Sequence, residues 1–429
     1  MRWVFTIASC LSSYVDRLRR DLVRDRNPLI LPLRRETVTR VSATSERLFA
    51  GYPGRMLATL SLSWGVLQLG RNLLSPLLPT IIADLGITDA TAGVALAVFQ
   101  GVYALTQYPG GEFSDRWTRA TLIVPGLVVL VLGFATFGLV GGLAGFLVAA
   151  AVTGLGKGLF AIPSRALLSD LYVERRGRAL GLYAAGTDFG GLLASGVAIL
   201  TLTYATWRTP FVPVALVLAG LAVLFAHWST EGYAVGTPSL DVGGTVGRLV
   251  ATPAQRRTLV AFALFYFMVG GFVNFFPTFL IETKGFSHRL ASAAFAIVFA
   301  VGIAVKPVAG SVSDRFGRES IAVSGLLVAA VSLGVLAVTD VRLLVYGSIL
   351  VLALGYKMEF PLADTIVLDN APDGDMGADL GAARALFLGA NALGPAYVGI
   401  VATYADYVAA FAGLAACLLV AAGLLYWER

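Results

Sequence analysis

Three kinds of side chain in this sequence could do chemistry away from bulk water: deep basic residues, isolated carboxylates, and amides spaced to share a helix face. Arg71 lies near the middle of an apolar run, and Trp64, Gln68, Arg71 and Ser75 recur at roughly helical spacing. They form one polar stripe, with the Asn72 amide beside it. A cation this deep cannot snorkel to a membrane surface, so it must meet either a wet cavity or a buried partner. Its planar fork suits a carboxylate or phosphate, which it can hold through two parallel hydrogen bonds.

Lysine usage points the same way. Of 32 basic residues only four are lysines, and Lys157, Lys306 and Lys357 fall within apolar runs. Lys157 and Lys357 are candidate ligand contacts; Lys306 is close to the end of its run and is expected to snorkel or to support a neighbouring loop. Asp188 and Glu359 are the deep acids. Each is either a proton carrier, since a desolvated carboxyl group can exchange a proton near neutrality, or the permanent partner of a lysine. Gln100, Tyr103 and Asn274 are further candidate substrate contacts, with Gln107, Tyr266, Arg384 and Asn391 behind them. Any of these polar groups could equally be interhelical glue.

The elements that must position these residues follow from composition. A chain of 429 residues with 57% hydrophobic and only 14% charged residues lies outside the soluble class. Twelve apolar runs are predicted to span a bilayer, near 57–82, 91–110, 120–140, 143–168, 179–201, 209–228, 258–281, 289–309, 320–338, 342–367, 379–402 and 407–427. Short connections make successive helices antiparallel neighbours. Only 229–257, rich in Gly, Pro, Thr and Ser, is long, and it divides the spans six and six. The domains expected are a basic arm at 1–55, helical bundles at 56–228 and 258–429, and the 229–257 linker between them.

The net charge of +6 resides in the arm, where eleven arginines face five acids. A cytoplasmic tail held near anionic headgroups accounts for this without nucleic acid. The opening MRWVFTIASCLSSYV has no clear small-residue cleavage site and reads as a surface-lying segment or an overextended start. With the N-terminus inside, cytoplasmic loops carry ten basic residues, among them Arg116, Arg119, Arg315 and Arg318, against four outside, namely Arg208, Lys284, Arg289 and Arg342. That bias places both termini in the cytoplasm and the protein in the cell membrane.

Only Cys10 and Cys417 are present, and His227 and His288 sit at predicted helix ends. Neither a disulfide framework nor a metal site is expected. No G-x-x-x-x-G-K-[ST] loop occurs, which disfavours ATP-driven work. No catalytic residue and no cofactor are implied; an intramembrane hydrolase would need a Ser/His or metal-ligand pair that these histidines do not make.

The halves repeat. Gly111-Glu-Phe-Ser-Asp115-Arg116-Trp-Thr-Arg119 follows the second run, and Gly310-Ser-Val-Ser-Asp314-Arg315-Phe-Gly317-Arg318 follows the eighth. Leu155-Gly156 and Pro163 are echoed by Leu354-Gly355 and Pro361. The two Asp-Arg motifs, G-x-x-x-D-R-x-[GT]-R, closely resemble the signature loop of the major facilitator superfamily. Residues 174–181 and the Trp207-Arg208 pair resemble that family too, so the resemblance covers 56–427. It implies an all-α membrane protein with twelve transmembrane helices in two pseudo-symmetric six-helix bundles, a midplane site and alternating access. It also implies that Lys157 and Lys357 face the cavity from opposite bundles. Asp115, Arg116, Arg119, Asp314, Arg315 and Arg318 would form a conformational latch in tight inter-helix turns, although Thr118 stands where glycine is usual. The antiporter signature ending in Gly-Pro is absent from Gly186-Thr-Asp188-Phe-Gly190-Gly191.

The expected function is secondary transport of a small solute, preferably an anion because Arg71, Lys157 and Lys357 outnumber the deep acids, with proton symport through Asp188 or Glu359. The rival within transport is an exporter of hydrophobic compounds, suggested by Phe272, Phe275 and Phe276. A membrane receptor without transport is the rival of another class.

Overall fold

The computed structural model describes residues 47–232, 234, 247, 250–369 and 376–427. Expectations for residues 1–46 and for most of the 229–257 linker lie outside the described residues. So do the side chains of Asp115, Arg116 and Asp314.

The described chain is helical throughout. Its helices are α1 (Gly51–Leu85), α2 (Asp89–Leu105), α3 (Gln107–Arg116), α4 (Arg119–Leu139), α5 (Leu143–Leu171), α6 (Arg176–Tyr204), α7 (Phe211–Trp228), α8 (Pro253–Glu282), α9 (His288–Phe316), α10 (Arg318–Val338), α11 (Arg342–Asp369), α12 (Met376–Tyr404) and α13 (Tyr407–Tyr426). Ten of them are long and apolar enough to cross a membrane: α4 to α13. Helix α1 is long enough, but its polar stripe lowers its hydropathy. Helix α2 is only 17 residues long.

The break after α2 departs from the single run expected at 91–110. Pro109 has no N–H to offer the Leu105 carbonyl. The Thr106 hydroxyl meanwhile turns back onto the carbonyls of Val102 and Tyr103, at 3.0 and 2.9 Å. Elsewhere the ends are capped from sequence: the Thr88 and Thr252 hydroxyls accept from Thr91 N–H and Gln255 N–H, and Asp406 accepts from Ala409 N–H.

Packing repeats along the chain. In the first half α1 packs on α6 and α7, α5 on α2 and α4, and α4 on α7. In the second, α8 packs on α12 and α13, α11 on α9 and α10, and α10 on α13. These are the same pairings, as the duplicated motifs require. The halves meet along α2 with α12 and α6 with α9.

The halves touch directly at the end carrying the α1–α2 and α12–α13 turns. There Ala90 N–H donates to Thr403 Oγ1 at 3.0 Å, and the Tyr407 hydroxyl donates to Asp89 Oδ1 at 2.7 Å. Glycine is required here: a side chain at Gly93 would strike the Pro395 carbonyl, and one at Gly399 the Asp89 carbonyl. Such close approach replaces the hydrophobic drive that lipid cannot supply.

The signature motifs lie mostly on helices rather than in turns, a correction to the expected latch geometry. Residues 111–116 belong to α3 and residues 310–316 to α9. The second copy turns at Gly317 with φ +86°, where only glycine is comfortable. The first turns through Thr118 in an extended conformation, φ −67° and ψ 146°, so glycine is not needed there. Arg119 pairs with Asp170 of α5 at 3.2 Å and donates to Ser114 Oγ at 2.7 Å. Glu231, past α7, accepts from Ala120 N–H at 3.1 Å, with burial raising its carboxyl pKa above the usual value. If the transport expected from the sequence holds, Arg119→Ala should loosen the α3–α4 turn and cut uptake several-fold at matched protein levels while leaving ligand affinity unchanged. An equal loss of affinity would place Arg119 in the binding pathway instead.

Candidate functional site

A cavity of about 270 Å³ lies between the halves. Helices α1, α2, α5 and α6 form one wall, and α8, α9, α11 and α12 the other. Of the proposed contacts, Gln68, Arg71, Asn72, Gln100, Tyr103, Lys157 and Lys357 line it. Asn274 does not: it is buried within its own helix, where Nδ2 donates to the Gly270 carbonyl at 2.7 Å. Six basic side chains face the space, Arg71, Lys157, Arg165, Lys306, Lys357 and Arg384, together with one carboxylate, Asp364.

The basic groups divide sharply by partner. Asp188, just behind the wall on α6, binds Lys306 Nζ at 2.5 Å and Lys357 Nζ at 2.9 Å, crossing between halves. Lys306 thus belongs to the site and does not snorkel; Asp188 draws it inward. Arg384 donates to both oxygens of Asp364, from Nε at 3.0 Å and Nη2 at 2.5 Å. Among the described residues no carboxylate pairs with Arg71, Lys157 or Arg165. Arg71 donates to Asn72 Oδ1 at 2.9 Å. Lys157 Nζ stands 4.0 Å from the Tyr103 ring centroid, and the Arg165 guanidinium 5.3 Å from that of Trp64. Ring faces soften the isolation of a cation without neutralising it.

Several polar atoms around the cavity have no partner within the described protein. They include Asn72 Nδ2, Tyr356 Oη and Gln107 Nε2, each buried. Buried donors rarely go unmet, so water or a ligand must satisfy them. Gln100 Nε2 is instead bonded to Asn391 Oδ1 at 2.5 Å, joining α2 to α12.

Exposure rises along the cavity. The Lys357 side chain is 4% exposed, whereas Lys306, Asp364 and Arg384, toward the end where α5, α9 and α11 finish, are 27%, 26% and 35% exposed. The cavity is therefore closed at the glycine-packed end and accessible from the other.

Glu359 is fully buried, but it faces Gly325 of α10 rather than the cavity. Among the described residues neither of its oxygens has a partner. Phe272, Phe275 and Phe276 also lie off the wall; Phe272 packs on Phe276, Tyr356 and Phe411. Helix interior absorbs the aromatic character that suggested hydrophobic cargo.

Sequence reasoning passed over Arg165 and Asp364. Asp364 had a readable signal, since seven residues after Lys357 is two helical turns along one face. Arg165 lies near the end of its apolar run, where an interfacial arginine is ordinary.

A polytopic helical protein whose duplicated halves enclose a charged central cavity is built for passage across a membrane rather than along it. The chain belongs to the Major Facilitator Superfamily, which it matches over residues 60–384, with a second match over 258–429. It is 23% identical to the hexuronate transporter of Bacillus subtilis, over 83% of this chain and 88% of that one. It is also 25% identical to the probable sulfoacetate transporter SauU of Cupriavidus necator, over 62% of this chain and 66% of that one. A bacterial homologue of the human lysosomal transporter Spinster, solved inward-facing and occupied, superposes with a TM-score of 0.76 at 17% identity, over 89% of this chain and 97% of that one. The last likeness is one of fold.

Proposed function

We propose that this chain is a secondary active transporter that carries a small anion across the cell membrane by alternating access, with a proton as coupling ion. The carrying observation is that Arg71, Lys157 and Arg165 face a cavity between the halves and that, among the described residues, no carboxylate pairs with them. A lone Arg or Lys at the bilayer centre costs roughly 2.5 to 3.5 kcal/mol even on insertion scales, so the deep pair Arg71 and Lys157 persists only where something compensates it. A bound anion does so. Relatives named for sulfoacetate and hexuronate, both organic anions, support the same reading.

In this reading α1 is the first span and α2 with α3 the second, giving twelve in two six-helix bundles, 56–228 and 258–429, joined by the 229–257 linker. With the termini cytoplasmic, the closed end faces outward and the cavity opens to the cytoplasm. The substrate contacts are Arg71, Lys157, Gln68, Asn72, Gln100 and Tyr103, with Lys357 opposite. Uptake of labelled anions into proteoliposomes under a pH gradient tests the proposal; a cationic or neutral substrate would end the anion reading.

Two carboxyl groups compete for the coupling role. Asp188 is held by two lysines, whereas Glu359 can exchange a proton without breaking an ion pair. Glu359→Gln should abolish pH-driven accumulation yet preserve counterflow, which requires no net proton release. Undiminished accumulation would return the role to Asp188 or to another ion.

A further inference from the structure

The free positive charge of the cavity is not spread evenly. Arg71 comes from α1, and Lys157 and Arg165 from α5, while Lys306, Lys357 and Arg384 across the cavity are already held by Asp188 and Asp364. Among the described residues one wall is therefore a stripe of three cations with no carboxylate partner, facing a wall whose three cations share two carboxylates.

That stripe has two levels. Lys157 and Arg165 are eight residues apart on α5, about 12 Å along a helix axis. Both reach toward one indole, at 5.9 and 5.3 Å from the Trp64 ring centroid. The deep level holds Lys157 and Arg71, with unpartnered donors at Asn72 Nδ2 and Tyr356 Oη on residues 1% and 0% exposed. Arg165 stands at the level nearer the open end. Gln107, whose Nε2 is also unpartnered, lies on α3, which packs on α5.

A single carboxylate seated deep would meet Arg71 and Lys157 and leave Arg165 unmatched in a confined space. We infer that the substrate is a short organic dianion, with one anionic group seated at Arg71 and Lys157 and the other at Arg165; this rests on the anion reading above. Trp64 lies against the carbon backbone between the two groups. The cavity volume of about 270 Å³ suits a backbone of a few carbons rather than a large conjugate.

The test pairs molecules of matched size that differ by one charge. Purified full-length protein is titrated with malonate, succinate and glutarate, each beside its monomethyl ester, and binding is followed by thermal shift and tryptophan fluorescence. At least one diacid should bind about tenfold more tightly than its ester, the worth of one charge-assisted contact. Arg165→Gln should erase that advantage while changing ester binding by no more than about twofold. Diacids and esters binding alike in the parent would overturn the dianion and leave the anion reading standing. If no member of the panel binds while neutral sugars or organic cations do, both readings fall. The parent comparison needs no variant, so a poorly folding Arg165→Gln leaves the inference exposed to refutation.

Discussion

Arg71→Ala should lower anion affinity and uptake by roughly a hundredfold, the largest loss for any single side chain on the cavity wall. Arg71 lies in the middle of α1, and its one hydrogen bond to Asn72 leaves most of its fork unused among the described residues. The remaining donors are what an oxyanion would take. Arg71→Lys keeps the charge but replaces the planar fork with a point charge, so a loss of about tenfold is expected. The order parent, Lys, Ala is therefore the prediction, read as uptake at matched protein levels and as the ligand-dependent shift in melting temperature. If the Lys variant equals the parent, bidentate gripping is wrong. If Ala equals it too, Arg71 is structural.

The second large effect belongs to Asp188. Its carboxylate is shared by Lys306 and Lys357, and both the acid and Lys357 are almost wholly buried. Removing one member of a buried pair strands its partner, typically at about 3 to 5 kcal/mol, and here two partners are stranded. Asp188→Asn should be markedly destabilised and should lose uptake and counterflow together. Adding Lys306→Met and Lys357→Met to Asp188→Asn removes the stranded charges and should restore much of the melting temperature. A single variant as stable as the parent would show that the triad does not hold the halves together. One that keeps counterflow and loses only uphill accumulation would restore Asp188 as the proton carrier.

Much of this was legible because membrane folds write themselves in long periods. Apolar runs and duplicated motifs indicated a helical chain with two like halves, and the polar stripe of the first run located a wall of the cavity. What the sequence hid was pairing. Asp188, Lys306 and Lys357 are 118 and 169 positions apart, and nothing local says that one carboxylate would serve both lysines. Hence Lys306 read as an interfacial residue, and Asp188 read equally as a proton carrier or as the partner of one lysine. Asn274 failed for the opposite reason: periodicity places a residue on a face, but it does not say whether an amide will turn back onto its own helix. The break at Thr106 was readable from Pro109, whose cost to the helix is local.

At the closed end main chain lies directly on main chain, with Gly93 against Pro395 and Gly399 against Asp89. Side chains can stretch, swing and keep partial contact as two surfaces separate; backbone laid on backbone cannot. A slight parting forfeits the close packing at once. Such a seam holds fully or not at all, as packed interfaces with two discrete arrangements do. Under the alternating access proposed above, this would make the molecule a two-position device rather than a graded valve, with the half-open posture, the one through which ions would leak, the least populated.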